Sequence, residues 1–122
     1  MPTRDQQRAA KIFEQVSSLP PGAHKKYGAM AHKLPILVRT AGLAQALEFV
    51  NTRSSDVQQQ ILDHLADVVG VTPRKDLLEH SRTADLDEYM WLTREVLAAL
   101  QWYKRFAQSV LHVTADEEGD EA

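Results

Sequence analysis

The sequence predicts an all-α protein, a compact bundle of about six helices with a long C-terminal helix at its centre. Three observations lead there. Apolar residues recur at spacings of three and four along most of the chain, the period of a helix with one buried face. The period-two alternation of a half-buried strand never persists beyond a few residues. Capping signals and Pro or Gly breaks fall between the periodic runs and leave only short loops.

Thr3, with Gln6 three residues later, has the form of a capping box, in which each side chain satisfies a backbone N–H near the helix start. It opens a run in which Ala9, Ile12, Phe13 and Val16 form one stripe. Pro20-Pro21-Gly22 ends that run. A second stripe, Tyr27, Met30, Ala31 and Leu34, begins at about His24, and Lys25, Lys26, His32 and Lys33 collect opposite it at ~100° per residue. Pro35 is expected to break this helix or to begin the next one at its first position. The rhythm continues from Ile36 to Val50, with a break or a close helix approach at Gly42. Ser55 and Gln58 make a second capping box, leading into Val57, Ile61, Leu65, Val68 and Val69, with Gly70 as the stop. Thr72-Pro73 introduces a short helix carrying Leu77 and Leu78. The last helix opens at Asp85 and Glu88, whose carboxylates suit a helix N-terminus, and runs to about Val113, roughly 28 residues or ~42 Å. Its apolar arc is wide: Leu86, Tyr89, Met90, Thr93, Val96, Leu97, Leu100, Tyr103, Phe106, Ala107 and Val110.

The chain has 122 residues, enough for one domain, which we place at 1–113. It contains no cysteine, which excludes disulfides, cysteine metal sites and thiol nucleophiles and fits a reducing cytoplasm. No apolar run is long enough for a membrane span, and the first twenty residues lack the hydrophobic stretch of a secretory signal. The net charge of −3 is unevenly placed. Residues 114–122 carry five acids and no base, so they read as a disordered acidic tail; residues 1–113 hold 14 basic against 12 acidic residues, a charge of +2. That is far from the strongly basic footprint of an autonomous nucleic-acid binder. Nucleic-acid contact would need a local patch or a surface shared with partners.

No constellation of residues in the sequence recommends catalysis. The glycines are single and scattered, and no HExxH motif occurs. His64 with Asp63 and Asp67 offers a metal at most partial ligands, and a solvated helix face explains them as well. Neither a catalytic residue nor a metal site, cofactor or small-molecule substrate is expected. Two surfaces remain. Lys26 and Lys33 lie seven apart, nearly eclipsed on a helix, and Lys25 with His32 repeats the spacing; a solvated lysine face and a phosphate contact both fit. On the last helix Trp91 and Trp102, eleven apart, project with Arg94 and Arg105 away from the apolar arc, as a protein interface or stacking site would, unless the bundle curls round to cover them.

Three stretches carry a resemblance to a known family. Tyr27-Gly28 leads through His32-Lys33-Leu34-Pro35 to Arg39; Gly42-Leu43-Ala44-Gln45-Ala46-Leu47-Glu48-Phe49 follows. The third runs from Glu88-Tyr89 through Leu92-Thr93-Arg94-Glu95-Val96-Leu97 to Trp102-Tyr103-Lys104-Arg105-Phe106-Ala107. Together, over about residues 5–112, they resemble the small all-helical subunit of the type III-B CRISPR effector, the Cmr or RAMP-module complex. The small subunit of the related type III-A complex and a stand-alone helical adaptor are the alternatives. The resemblance implies a subunit without a nuclease centre, stacked in several copies along a channel for target RNA. Its partners would be backbone subunits holding the CRISPR RNA, the large subunit, copies of itself and the CRISPR RNA–target RNA. Lys25, Lys26, Lys33, Arg39, Lys104 and Arg105 are the candidates for RNA contact, and Trp91, Arg94 and Trp102 for protein contact. The acidic tail lies outside the matched stretches.

Overall fold

The computed structural model describes residues 1–116. Six α-helices and one 3-10 turn follow one another in this span: α1 (Arg4–Ser17), the turn (Pro21–Ala23), α2 (His24–Ala41), α3 (Leu43–Arg53), α4 (Asp56–Val69), α5 (Arg74–Thr83) and α6 (Leu86–Ser109). No strand occurs among the described residues. Both capping boxes form: Thr3 Oγ1 accepts from Gln6 N–H while Gln6 Oε1 accepts from Thr3 N–H, and Ser55 with Gln58 repeats the exchange. Asp85 caps α6 by accepting from Glu88 N–H.

The helix α6 packs against α1, α2 and α4, so it is the central element of the bundle. Its buried residues are Leu92, Val96, Ala99, Leu100, Tyr103 and Ala107. They meet Ile12 and Val16 of α1, Tyr27, Met30, Ala31, Leu34 and Val38 of α2, and Ile61, Leu62 and Leu65 of α4 in one continuous core. Between α2 and α3 the chain turns at Gly42, whose φ of +91° is a conformation that side chains rarely adopt. Tyr89 of α6 is seated at this turn, its hydroxyl accepting from Ala44 N–H at 3.1 Å.

Three expectations need correction. Pro35 neither ends α2 nor starts another helix; α2 runs through it to Ala41. A proline inside a helix costs on the order of 3 kcal/mol. Here it is buried, and Met30, Ala31 and Leu34 before it and Val38 after it are held by the same core, so packing on both sides keeps the axis continuous. The last helix ends at Ser109, four residues earlier than its periodicity suggests. Residues 110–113 leave the helix and continue the apolar pattern as a strap, in which Leu111 and Val113 are buried. The first turns of α6 extend past the core, leaving Leu86 70% and Met90 48% exposed.

The strap lies on α2. Val113 sits so close to Gly28 that a Cβ at Gly28 would lie 2.7 Å from its Cβ and Cγ2. The ring of His32, one turn along, bonds the carbonyl of Val113 through Nε2 at 2.8 Å. A carbonyl only accepts, so Nε2 carries the proton; Nδ1 is buried without a hydrogen-bond partner among the described residues. Thr114, Ala115 and Asp116 beyond the strap are exposed. The disorder expected of the acidic tail concerns mainly 117–122, which lie outside the described residues.

Candidate nucleic-acid and protein interfaces

The basic candidates occupy three surfaces rather than one. Lys26 and Lys33 share the flank of α2 that faces α3, where Lys33 Nζ stands 5.4 Å from the centre of the Phe49 ring. Gln58 of α4 donates to the carbonyl of Lys26 on the same side. The opposite flank carries Lys25, Gly28, His32 and Arg39 at intervals of three, four and seven residues, and the strap lies on its middle. His32 therefore leaves the basic face expected of it and becomes an interior residue, 5% exposed. Lys104 and Arg105 are exposed on α6.

Charge pairing divides the basic residues of the chain, and Arg53 and Lys75 fall with the unpaired ones among the described residues. Arg4 and Arg8 share Glu95, Arg8 also bonds Asp5, Lys11 meets Asp67, Arg74 meets Asp63, and Arg82 meets Glu48. Lys25, Lys33, Arg39, Arg94, Lys104 and Arg105 have no carboxylate within 4.0 Å among the described residues. Paired arginines stitch α1 to α6 and α4 to α5, while Lys25, Lys33, Arg39, Lys104 and Arg105 keep their charge available among the described residues.

The two tryptophans part company. Trp102 is half-buried, stacked on Phe106 with ring centres 5.5 Å apart, and its Nε1–H donates to Asp5 Oδ1 at 3.1 Å. That bond and Arg8 hold the Asp5 carboxyl below the usual carboxylate range. Phe13 of α1 meets Phe106 edge-on at 5.4 Å and is itself 48% exposed, so an aromatic row, Phe13–Phe106–Trp102, closes the seam between α1 and α6. Trp91, at 38% exposure, stays at the surface near exposed Leu86 and Met90 on the protruding start of α6, one turn before Arg94. Sequence spacing found the tryptophans but not the row, because Phe13 and Phe106 come from opposite ends of the chain.

The groups that resembled a partial metal site are engaged elsewhere. Arg74 grips both oxygens of Asp63 at 2.9 Å, and Lys11 lies 3.5 Å from Asp67. The Nδ1 of His64 is 2.7 Å from the Tyr27 hydroxyl. Burial pushes the Tyr27 phenol well up, so it stays protonated and donates, which places the imidazole proton on Nε2. Burial also lowers the His64 pKa, against the opposing pull of Asp63 and Asp67. Gln15 completes the network, donating to the carbonyl of His64 and accepting from the hydroxyl of Tyr103. No group of three or more His, Asp or Glu side chains able to hold a metal ion occurs among the described residues. No helix among them is long and apolar enough to cross a membrane.

Comparison with known proteins matches this architecture. The CRISPR-associated protein family model Cas_Cmr5 matches residues 4–110, which run from the first residue of α1 to the first residue after α6. A protein of Thermus thermophilus named CRISPR system Cmr subunit Cmr5 is 46% identical over 112 residues, covering 91% of this chain and 98% of the relative. The crystal structure of a CRISPR-associated Cmr5 family protein from the same species superposes with a TM-score of 0.80 at 45% identity, covering 90% of this chain and 98% of that one. The stretches Lys33-Leu34-Pro35, Gly42-Leu43-Ala44-Gln45-Ala46-Leu47 and Lys104-Arg105-Phe106-Ala107 thus sit inside a match that extends over every helix of the bundle. Of the two helical small-subunit families the sequence left open, the type III-B one is supported, and the chain belongs to the Cmr5 family of CRISPR-associated proteins.

Proposed function

We propose that this chain is a non-catalytic subunit of a Cmr-type ribonucleoprotein effector in the cytoplasm. It packs in several copies beside the backbone and large subunits, and its exposed cations contact the CRISPR RNA–target RNA through phosphates. Family membership supports the assembly, since the Thermus relative is named a subunit of the CRISPR Cmr system. The observation that carries the RNA reading is available charge on α2 and α6: the candidates Lys25, Lys33, Arg39, Lys104 and Arg105 are exposed with no carboxylate within 4.0 Å among the described residues, as are Arg53 and Lys75 elsewhere, while Arg4, Arg8, Lys11, Arg74 and Arg82 are ion-paired. An ammonium free of a carboxylate loses no ion pair when it meets a phosphate. A body charge of only +2 suits a wall that shares the phosphate load with neighbouring subunits. Trp91 and Arg94, exposed beside Leu86 and Met90, form the protein-contact surface; Trp102 serves it by fixing α1 against α6.

The test is paired removal, Lys26→Ala with Lys33→Ala, in the reconstituted effector. Affinity for target RNA should fall by a similar factor for unrelated guides. The slope of log affinity against log salt should become shallower by about 1.4, from ~0.7 per phosphate contact on a single strand. Failed assembly with unchanged affinity per intact complex would make these lysines subunit contacts and overturn the RNA assignment.

A further inference from the structure

The hairpin of α2 and α3 is strongly basic. Its two helices hold Lys25, Lys26, Lys33, Arg39 and Arg53 against a single acid, Glu48. That acid is turned towards α5, where the guanidinium of Arg82 lies 3.7 Å from its carboxylate. The chain folds back at Gly42, so that Lys33 before the turn meets Phe49 after it, its Nζ 5.4 Å from the ring centre. Phe49 and Arg53 are one turn apart and share the flank of α3 that faces α2. Arg53 is exposed about 6 Å further along the axis, with no carboxylate within 4.0 Å among the described residues. The Phe49 ring is 38% exposed, although Gln45 and Thr52, one turn to either side of it, are polar and exposed.

An exposed aromatic ring set between uncompensated cations is the arrangement that holds single-stranded nucleic acid: the ring stacks on a base of any identity and the cations take the adjoining phosphates. We propose that Phe49 is a stacking platform for an unpaired RNA base, with Lys33 and Arg53 on the phosphates to either side. This rests on the RNA reading given above for Lys33 and adds to it a base contact, made by Phe49, and a further phosphate contact, made by Arg53. An apolar protein segment would cover the ring and leave both charges unmatched, whereas a nucleotide satisfies ring and cations together. In the free chain the Lys33 ammonium attends the ring, a weak contact at an exposed site. A base takes its place on the ring, and the flexible four-carbon stem of Lys33 carries the ammonium onto the phosphate. Every base has a π-face, so the contact is indifferent to sequence and serves unrelated guides equally.

The test uses the reconstituted effector bound to target RNA. Ultraviolet irradiation of the unaltered complex should cross-link RNA to the tryptic peptide 40–53, with Phe49 as the modified residue. Phe49→Leu keeps apolar bulk but removes the π-face; it should abolish the cross-link and weaken target-RNA binding about five- to thirtyfold, with the salt dependence unchanged because no charge is lost. Phe49→Trp, which keeps a π-face, should retain both. Arg53→Ala should weaken binding and make the slope of log affinity against log salt shallower by about 0.7. If Phe49→Leu binds as tightly as the unaltered effector while Lys33→Ala still weakens binding, the stacking is overturned and the RNA reading stands; if Lys33→Ala is also without effect, both fall. Cross-linking of this peptide to another protein rather than to RNA, or failure of the Phe49→Leu effector to assemble, would make the face a subunit contact and overturn the proposal.

Discussion

Replacing Gly28 with alanine sets two effects against each other, and the structure decides between them. Alanine is the better helix former, and inside α2 the exchange alone gains about 0.5–1 kcal/mol. The added methyl, however, lies 2.7 Å from two carbons of Val113. That obstacle is a buried side chain on a strap held by the His32 bond and by the burial of Leu111 and Val113, so it yields only by lifting the strap. Overpacking of this kind costs about 1–3 kcal/mol. The net effect of Gly28→Ala in the full chain is therefore destabilising, by about 0.5–2 kcal/mol, or roughly 2–8 °C in Tm for a domain of this size. In a chain ending at Ser109, which lacks the Val113 side chain, the same substitution should stabilise by about 0.5–1 kcal/mol. The assay is urea unfolding followed by far-ultraviolet circular dichroism on all four chains, with the coupling energy taken from the cycle. Stabilisation by alanine in both backgrounds, or an equal loss in both, would refute the strap as the reason for glycine here.

Other outcomes follow from the same structure. Ser55→Ala removes the hydroxyl that accepts from Gln58 N–H and should cost about 1 kcal/mol in urea unfolding, with the helical signal of the folded state retained. His64 is favoured in its neutral form by the fold, so its contribution is present above the unfolded pKa of about 6.5 and is lost as pH falls through that value towards the lowered folded one. Stability should accordingly drop between pH 7.5 and 5.5, and His64→Asn, which keeps an acceptor for Tyr27 without titrating, should flatten that part of the profile. Truncation after Val113 should leave Tm and effector assembly unchanged, because Thr114, Ala115 and Asp116 are exposed and the strap is kept. The purified chain should cleave neither RNA nor DNA with or without divalent metal, since no positioned nucleophile and base among the described residues recommend hydrolysis.

The features legible in the sequence are those whose cause lies within a few residues. The capping boxes at Thr3/Gln6 and Ser55/Gln58 join neighbours three apart, and Asp85 announces α6 in the same way. Gly42 signals a break because a positive φ is a local demand. What sequence spacing misplaced depends on partners far along the chain. His32 looked like part of a basic face because the residue that covers it, Val113, is 81 positions away. Trp102 looked free because its partner, Asp5, is 97 positions away. Pro35 continues a helix because the core holds α2 on both sides of it, a tertiary effect that overrides local propensity. The wide arc assigned to α6 put Leu86 and Met90 inside and passed over Leu92 and Ala99, since periodicity ranks faces but does not say where neighbouring helices end. The basic candidates were found one by one from spacing and strings; their distribution over two flanks of α2 and the surface of α6 emerges only when α3 and the strap are in place.

The account stands or falls on assembly. The most direct measurement is affinity purification of a tagged copy of this chain from its host at native expression level, with mass spectrometry of the associated proteins and sequencing of the associated RNA. The account predicts the other Cmr subunits in fixed proportion, with this chain in more than one copy per complex and short CRISPR RNAs bound. Recovery of the chain alone, or with partners that include no Cmr subunit and no CRISPR RNA, would contradict it.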